Sequence, residues 1–261
     1  MSNVPKMKKG KGGGYVPTKQ SNTLAYVLGG VAIVVIIAVL GFFLWHNSNS
    51  SKNQKAGDKA AAVAQLSKSA TFTAGKPDAK TTVDIFSDFQ CPYCAQLEQQ
   101  SGAEISKAVD DGSLQVRYHI VNFLDENSAS GDYSSRTAGA MIAIAKSSMA
   151  ADLKQKAWMA TYAALYAKQP KEKAAGGSSD WANADIAKIA AEASQGAGAA
   201  LPADVTKAIT DGADAASGKS SASAEMQLLQ QVGGQGTPTV LHDGAPVDAL
   251  GNPGWLSGLL K

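Results

Sequence analysis

The sequence is poor in the residues that cross-link a chain or hold a metal. Two cysteines among 261 residues can supply neither a disulfide framework nor a four-thiolate zinc site. The three histidines, His46, His119 and His242, stand far apart and show no ligand spacing. Charged residues make up only 18% of the chain and aromatic residues 7%. No arginine-rich or aromatic-interleaved patch occurs, so a nucleic-acid partner is excluded in spite of a pI near 8.4. No self-similarity at periods of roughly 20 to 50 residues is visible, which argues against a solenoid. Acidic residues are missing altogether from the first 23 positions.

What is present is 44% hydrophobic residues, enough for one or two domains with a core. The acid-free arm 1–23 contains Lys6, Lys8, Lys9, Lys11 and Lys19, a charge of +5, while the remainder carries 19 basic against 22 acidic residues. The net +2 thus combines a basic arm with a slightly acidic body. After the arm, Leu24 to Trp45 run 22 residues without a charge. A helix rising about 1.5 Å per residue over that length spans the roughly 30 Å hydrocarbon layer of a bilayer. With Tyr26 and Trp45 near its ends and lysines before it, the run is expected to be a transmembrane helix with a cytoplasmic N-terminus and everything after His46 outside. The competing reading is a cleaved signal peptide, whose apolar region covers only about 7 to 15 residues. The triplet Ala62-Val63-Ala64 lies too far beyond the run for ordinary processing. Residues 46–68 are rich in Ser, Asn, Lys and Ala, and are expected to form a flexible stalk with a helical second half over Asp58–Leu66.

The two cysteines lie together, as Cys91-Pro92-Tyr93-Cys94. Thr81 to Phe89 (TTVDIFSDF) reads as a strand leading into them. The residues after Cys94 carry Leu97, Ile105 and Val109 at helical spacing and stop at Gly112, and Leu114 to Phe123 reads as a second strand. The unit is strand, CxxC, helix, strand. A cysteine at a helix N-terminus faces unpaired amide groups and the positive end of the helix dipole, which favour its thiolate. Proline is tolerated in the first helical turn, where its missing N–H costs nothing. Cys94, one turn on, is placed to attack a mixed disulfide on Cys91. Two plainer readings compete. Half a metal site would need two further ligands, and none has suitable spacing. A structural clip closing so small a loop would restrict the unfolded chain little.

Phe86-Ser87-Asp88-Phe89-Gln90 leading into Cys91-Pro92-Tyr93-Cys94, followed about 140 residues later by Gly236-Thr237-Pro238-Thr239-Val240, resembles the DsbA-like thiol-disulfide oxidoreductases of bacterial envelopes, of the membrane-anchored type. The resemblance covers residues 69–261. It implies an α/β protein: a thioredoxin fold with an inserted α-helical domain, here about 134–231, preceded by one N-terminal transmembrane helix. It implies catalytic roles for Cys91 and Cys94 as a redox-active disulfide. It further implies a cis peptide before Pro238 opposite the cysteines, with Thr237 and Pro238 binding an extended substrate peptide. The insertion has helical signals of its own. Trp158, Tyr162, Leu165 and Tyr166 fall at i, i+4, i+7 and i+8, and read as core. Further helices are expected around Ile186–Ile189, Val205–Ile209 and Met226–Val232, a hairpin turned at Asp243-Gly244, and a closing helix over 253–260.

Two departures from the family stand out. The buried acid often found six residues before the first cysteine is here Ile85, and the nearest acid, Asp84, falls on the opposite strand face. Asp84 therefore reads as a plain surface acid, with proton transfer as the alternative. The Pro92-Tyr93 dipeptide resembles that of glutaredoxins, which are short cytosolic proteins without an anchor or this insertion.

The expected activity is oxidation of cysteines in exported proteins through a Cys91–Cys94 disulfide. The resemblance implies reoxidation by a quinone-linked membrane partner of the DsbB or vitamin K epoxide reductase type. No small-molecule cofactor or metal is called for, because the thiols carry the electrons. An isomerase or reductase of the same fold, and a non-catalytic anchored binding or chaperone-like module, are the alternatives.

Overall fold

The computed structural model describes residues 56–261. The basic arm, the apolar run at 24–45 and the first part of the expected stalk lie outside the described residues. Among the described residues no helix is long and apolar enough to cross a membrane.

The element order is α1 (Ala56–Ser69), β1 (Phe72–Ala74), β2 (Thr81–Ser87), α2 (Pro92–Asp111), β3 (Leu114–Ile120), α3 (Tyr133–Lys146), α4 (Ala151–Ala167), α5 (Asn183–Gly196), α6 (Ala203–Asp211), α7 (Ala215–Gln231), β4 (Thr239–His242), β5 (Ala245–Val247) and α8 (Trp255–Leu259). The strands form one mixed sheet in the order β1-β3-β2-β4-β5. β2 pairs in parallel with β3 across α2, as a strand, helix, strand unit requires. β1, β4 and β5 add antiparallel. β2 lies at the centre and is buried along almost its whole length, which is why TTVDIFS reads as a continuous rather than an alternating strand. Gly112 ends α2 in the left-handed conformation, φ 83°, its amide returning to the last turn. Asp243 and Gly244, at φ 51° and 72°, turn the β4–β5 hairpin.

Alternation along β2 sends its side chains to two different cores. Val83 and Ile85 join Leu97, Ile105, Val116 and Tyr118 beneath α2 and α4. Phe86 joins Val121, Leu241, Leu228 and Leu229 on the other face, together with Ala62 and Leu66 of α1. The second half of the stretch expected to be a flexible stalk is therefore a helix with Leu66 fully buried, packed on α7 and the sheet.

The helices between β3 and β4 pack beside the sheet. Trp158, Tyr162, Leu165 and Tyr166 of α4 are all buried. Trp158 stacks on Phe72 with centroids 4.7 Å apart, and Tyr162 lies 4.8 Å from Tyr118. This aromatic layer joins α4 to β1 and β3. α3 and α7 touch backbone to backbone at Gly139 and Gly218.

Asp84 is not a surface acid. It is fully buried on the face opposite Ile85, where β3 in parallel register sets Arg117 beside it. Arg117 Nε and Nη2 each donate to one Asp84 oxygen at 2.7 Å. His119 Nε2 lies 3.0 Å from Asp84 Oδ1, and His119 Nδ1 lies 2.7 Å from Glu225 of α7. Both ring nitrogens face carboxylate oxygens, which only accept, so the ring is held as imidazolium. Two cations and two carboxylates close a neutral buried set. Asp84 is committed there and is unavailable to the cysteines.

Candidate active site

Cys91 is the N-cap of α2, with φ −77° and ψ 117°, and Pro92 opens the helix. The Cys94 amide donates to the Cys91 carbonyl at 3.1 Å, so both cysteines lie on the first turn. Both are buried free thiols. Pro92 and Tyr93 between them are exposed, Tyr93 by 60%. The reactive edge thus faces outward while the sulfurs sit in the core end of the sheet.

The β2–β4 ladder brings the second motif to this point. Phe86 pairs with Thr239, so the residue before Thr239 falls beside the end of β2, where the chain turns toward Cys91. Proline has no amide to continue the ladder there. The Thr237–Pro238 peptide is cis. The Cys91 thiol donates to the Thr237 carbonyl at 3.2 Å. The Thr237 hydroxyl is buried without a partner. A hydroxyl in that position is a donor available once the sulfur loses its proton.

The two thiols are driven apart in acidity. A hydrogen bond from Cys94 holds the Cys91 thiol below its ordinary range, against the cost of burial, with help from Thr237 and the Cys94 amide. Burial, and then the neighbouring Cys91, push the Cys94 thiol well up. One thiolate and one thiol is the state this geometry favours, with Cys91 as the nucleophile.

The loop carrying Cys91 is held from the helical side. Gln169, after α4, donates through Nε2 to the carbonyls of Phe89 at 2.8 Å and Cys91 at 2.9 Å. Gln90 donates to the Pro170 carbonyl at 3.1 Å. Asp88 is buried, and its carboxylate accepts from the Ser134 hydroxyl, the Gln90 amide at 2.9 Å and the Leu124 amide at 3.0 Å. Ile85, where an acid stands in many thioredoxin-like proteins, belongs to the same apolar cluster as Cys91 and Cys94. Among the described residues no group of three or more His, Cys, Asp or Glu could hold a metal ion.

Residues 67–261 match the family model described as Thioredoxin. The chain belongs to this thioredoxin family. The structure is similar to a reduced disulfide bond oxidoreductase, DsbG, from Mycobacterium tuberculosis: 25% identity, 78% of this chain and 90% of that chain, TM-score 0.57. It is also similar to oxidised DsbA from M. tuberculosis, with 27% identity over 72% of this chain and 86% of that one, at a TM-score of 0.52. The fold alone is shared with MdbA, a thiol-disulfide oxidoreductase of Corynebacterium diphtheriae, at 24% identity over 75% and 98% of the two chains and TM-score 0.56. In sequence the chain is 35% identical over 188 residues to the serine/threonine-protein kinase PknE of M. tuberculosis, covering 71% of this chain and 31% of that protein. The chain therefore spans about a third of the length of the curated relatives it matches. Together the family and the neighbours give this thioredoxin-family chain the fold of the DsbA and DsbG structures it is similar to.

The sequence reading did not single out the residues that support the cysteines of this thioredoxin-family site. Asp88 and Gln90 stand inside the quoted motif, where their closeness to Cys91 was the only signal. Gln169 lies 78 positions from Cys91 and carries no local signal. Glu98, one turn beyond Cys94 on α2, is lifted to about 7 by burial, beside Tyr118 and Tyr162. Its place on the inner side of α2 depends on tertiary packing.

Proposed function

We propose that the chain is an extracytoplasmic oxidase of exported proteins, working through a Cys91–Cys94 disulfide. The observation that carries this reading is the placement of Cys91 at the N-cap of α2 against Thr237, with Cys94 buried one turn on, which sets the acidities of the two thiols apart. A Cys91 thiolate held at the helix N-terminus stabilises the reduced enzyme, and a stabilised reduced form makes its disulfide an oxidant. A substrate thiolate attacks Cys91 Sγ, the Cys91–Cys94 bond breaks, and Cys94 leaves with the electron pair and takes up a proton. A second substrate thiolate then attacks the substrate sulfur of the mixed disulfide. The substrate gains its disulfide, and the enzyme leaves as Cys91 thiolate and Cys94 thiol. Thr237 and Pro238 border the nucleophile and offer backbone to an extended substrate segment, in the manner of a strand added at an edge.

The address rests on the sequence: the lysine-rich arm and the run Leu24–Trp45 support a single-pass anchor in membrane lipid with the catalytic part outside. Reoxidation then falls to a quinone-linked membrane protein of the DsbB or vitamin K epoxide reductase type, which accepts two electrons from the reduced pair. Mixing the oxidised chain with a reduced two-cysteine peptide tests the direction of transfer. The expected outcome is peptide disulfide formed in step with loss of the enzyme disulfide; retention of both starting states defeats the oxidase reading. Membrane fractionation tests the address, and a soluble, N-terminally trimmed product defeats the anchor.

A further inference from the structure

Asp88 is the buried carboxyl nearest in sequence to the nucleophile, and its surroundings are unusual for a charge. It is fully buried. Its donors are the Ser134 hydroxyl and the Gln90 and Leu124 amides, all neutral. Its own backbone carbonyl accepts the Cys91 amide at 2.9 Å, closing a tight turn that joins Asp88 to the nucleophile. The titratable groups around it are Cys91 and Cys94 on α2, Asp125 after β3, Tyr133 on α3 and Tyr166 on α4. Among the described residues no Lys, Arg or His pairs with it, whereas Asp84 on the other face of the sheet has both Arg117 and His119. A buried carboxylate without a cation, next to a sulfur that becomes an anion on reduction, places two like charges in one low-dielectric pocket.

We propose that Asp88 is a positioning residue that takes up a proton as the Cys91–Cys94 disulfide is reduced, coupling the redox state of the pair to pH. The inference rests on the redox cycle proposed above. Reduction by two substrate thiolates adds two electrons across the S–S bond and places one proton on Cys94. The new Cys91 thiolate stays unprotonated, and its charge draws a further proton from solvent onto Asp88. On oxidation the thiolate charge is lost and the proton is released. Burial already lifts the Asp88 carboxyl to about 7, within the range where such uptake and release occur.

The test compares the full chain with its Asp88→Asn variant, each titrated against glutathione at pH values from about 5.5 to 8.5. Corrected for glutathione's own protons, and above the pH at which Cys91 ionises, reduction of Asp88→Asn should become about tenfold less favourable per pH unit, the dependence of one proton. The unmodified chain should fall more than tenfold per unit near neutrality. The Cys91 thiolate, followed by its ultraviolet absorbance, should also persist to lower pH in the variant. Because the variant replaces one acceptor oxygen by an NH2 that would face a donor, the Leu124 amide if the Oδ1 contacts are kept, and could fold poorly, a second measurement uses the unmodified chain. The carboxyl carbon of Asp88, followed by NMR, should titrate at higher pH in the reduced than in the oxidised form. Equal slopes, or one midpoint in both redox states, overturn the inference while leaving the oxidase reading intact. Lack of a reversible dithiol–disulfide couple in the unmodified chain overturns both.

Discussion

The Cys91 sulfur lies 3.2 Å from the carbonyl oxygen of Thr237, a contact between residues 146 positions apart. It closes the site: the first motif supplies the nucleophile and the second supplies its wall. The Thr237 backbone therefore borders the Cys91 sulfur. The first prediction follows from the asymmetry of the pair. Cys94→Ser should accumulate mixed disulfides with substrate thiols, and Cys91→Ser should form essentially none. At neutral pH an alkylating reagent should modify Cys91 at least tenfold faster than Cys94, as peptide mapping of the reduced chain would read.

The unpartnered hydroxyl of Thr237 separates stability from chemistry. Where Cys91 is protonated the hydroxyl has nothing to bond, so at pH values below the thiol midpoint Thr237→Val should leave stability unchanged or raise it by up to about 1 kcal/mol. The same change removes a donor that lowers the Cys91 thiol. The thiolate midpoint should therefore move to higher pH and the rate of disulfide exchange near pH 7 should fall. Denaturant unfolding and thiolate absorbance on one sample check both halves.

On the far side of the sheet, burial opposes charging of His119 but the carboxylates of Asp84 and Glu225 outweigh it, so the imidazole is raised above its ordinary range. A raised folded value means that its contribution is fully present below the unfolded pKa of about 6.5 and is lost as pH rises through the higher folded value. His119→Phe would leave two buried carboxylates short of a partner and should cost about 3–5 kcal/mol below pH 6.5, less above the folded value. The pH dependence of unfolding in the two proteins is the check. An identical dependence would mean that the ring titrates alike in the folded and unfolded states, against the raised value.

Gly218 of α7 meets α3 without a side chain between them: a Cβ at 218 would lie 2.5 Å from the Ser135 carbonyl oxygen. Helix propensity alone would make Gly218→Ala stabilising by about 1 kcal/mol. Overpacking against backbone should dominate, for a net loss of about 2–3 kcal/mol in thermal or denaturant unfolding.

How far the sequence carried the reading depended on the range of the interaction involved. β2, CxxC, α2 and β3 are successive segments whose signals are local: β-branched runs, a proline at a helix start, Gly112 at its end. The α4 face of Trp158, Tyr162, Leu165 and Tyr166 was legible because 3.6 periodicity is also local. β1 was missed because three residues carry no period. The helical second half expected over Asp58–Leu66 is there, as Ala56–Ser69, but its packing was not legible because an Ala-rich, weakly apolar helix is held by what it packs on, here α7 and Phe86. Asp84 was misread for a related reason. Alternation put it correctly on the face away from the cysteines, but only the β2–β3 register and α7 bring Arg117, His119 and Glu225 to bury and neutralise it. Asp88 was quoted but given no role, since its lack of a counter-ion is a property of four separate elements.

The central claim is that the site favours a Cys91 thiolate strongly enough to make the disulfide an oxidant. The reduction potential of the Cys91–Cys94 pair, measured by equilibration with glutathione, tests it most directly. The account predicts a value clearly above thioredoxin's roughly −270 mV, toward the roughly −120 mV of strong oxidants. A value at or below roughly −270 mV would contradict it and make the chain a reductant.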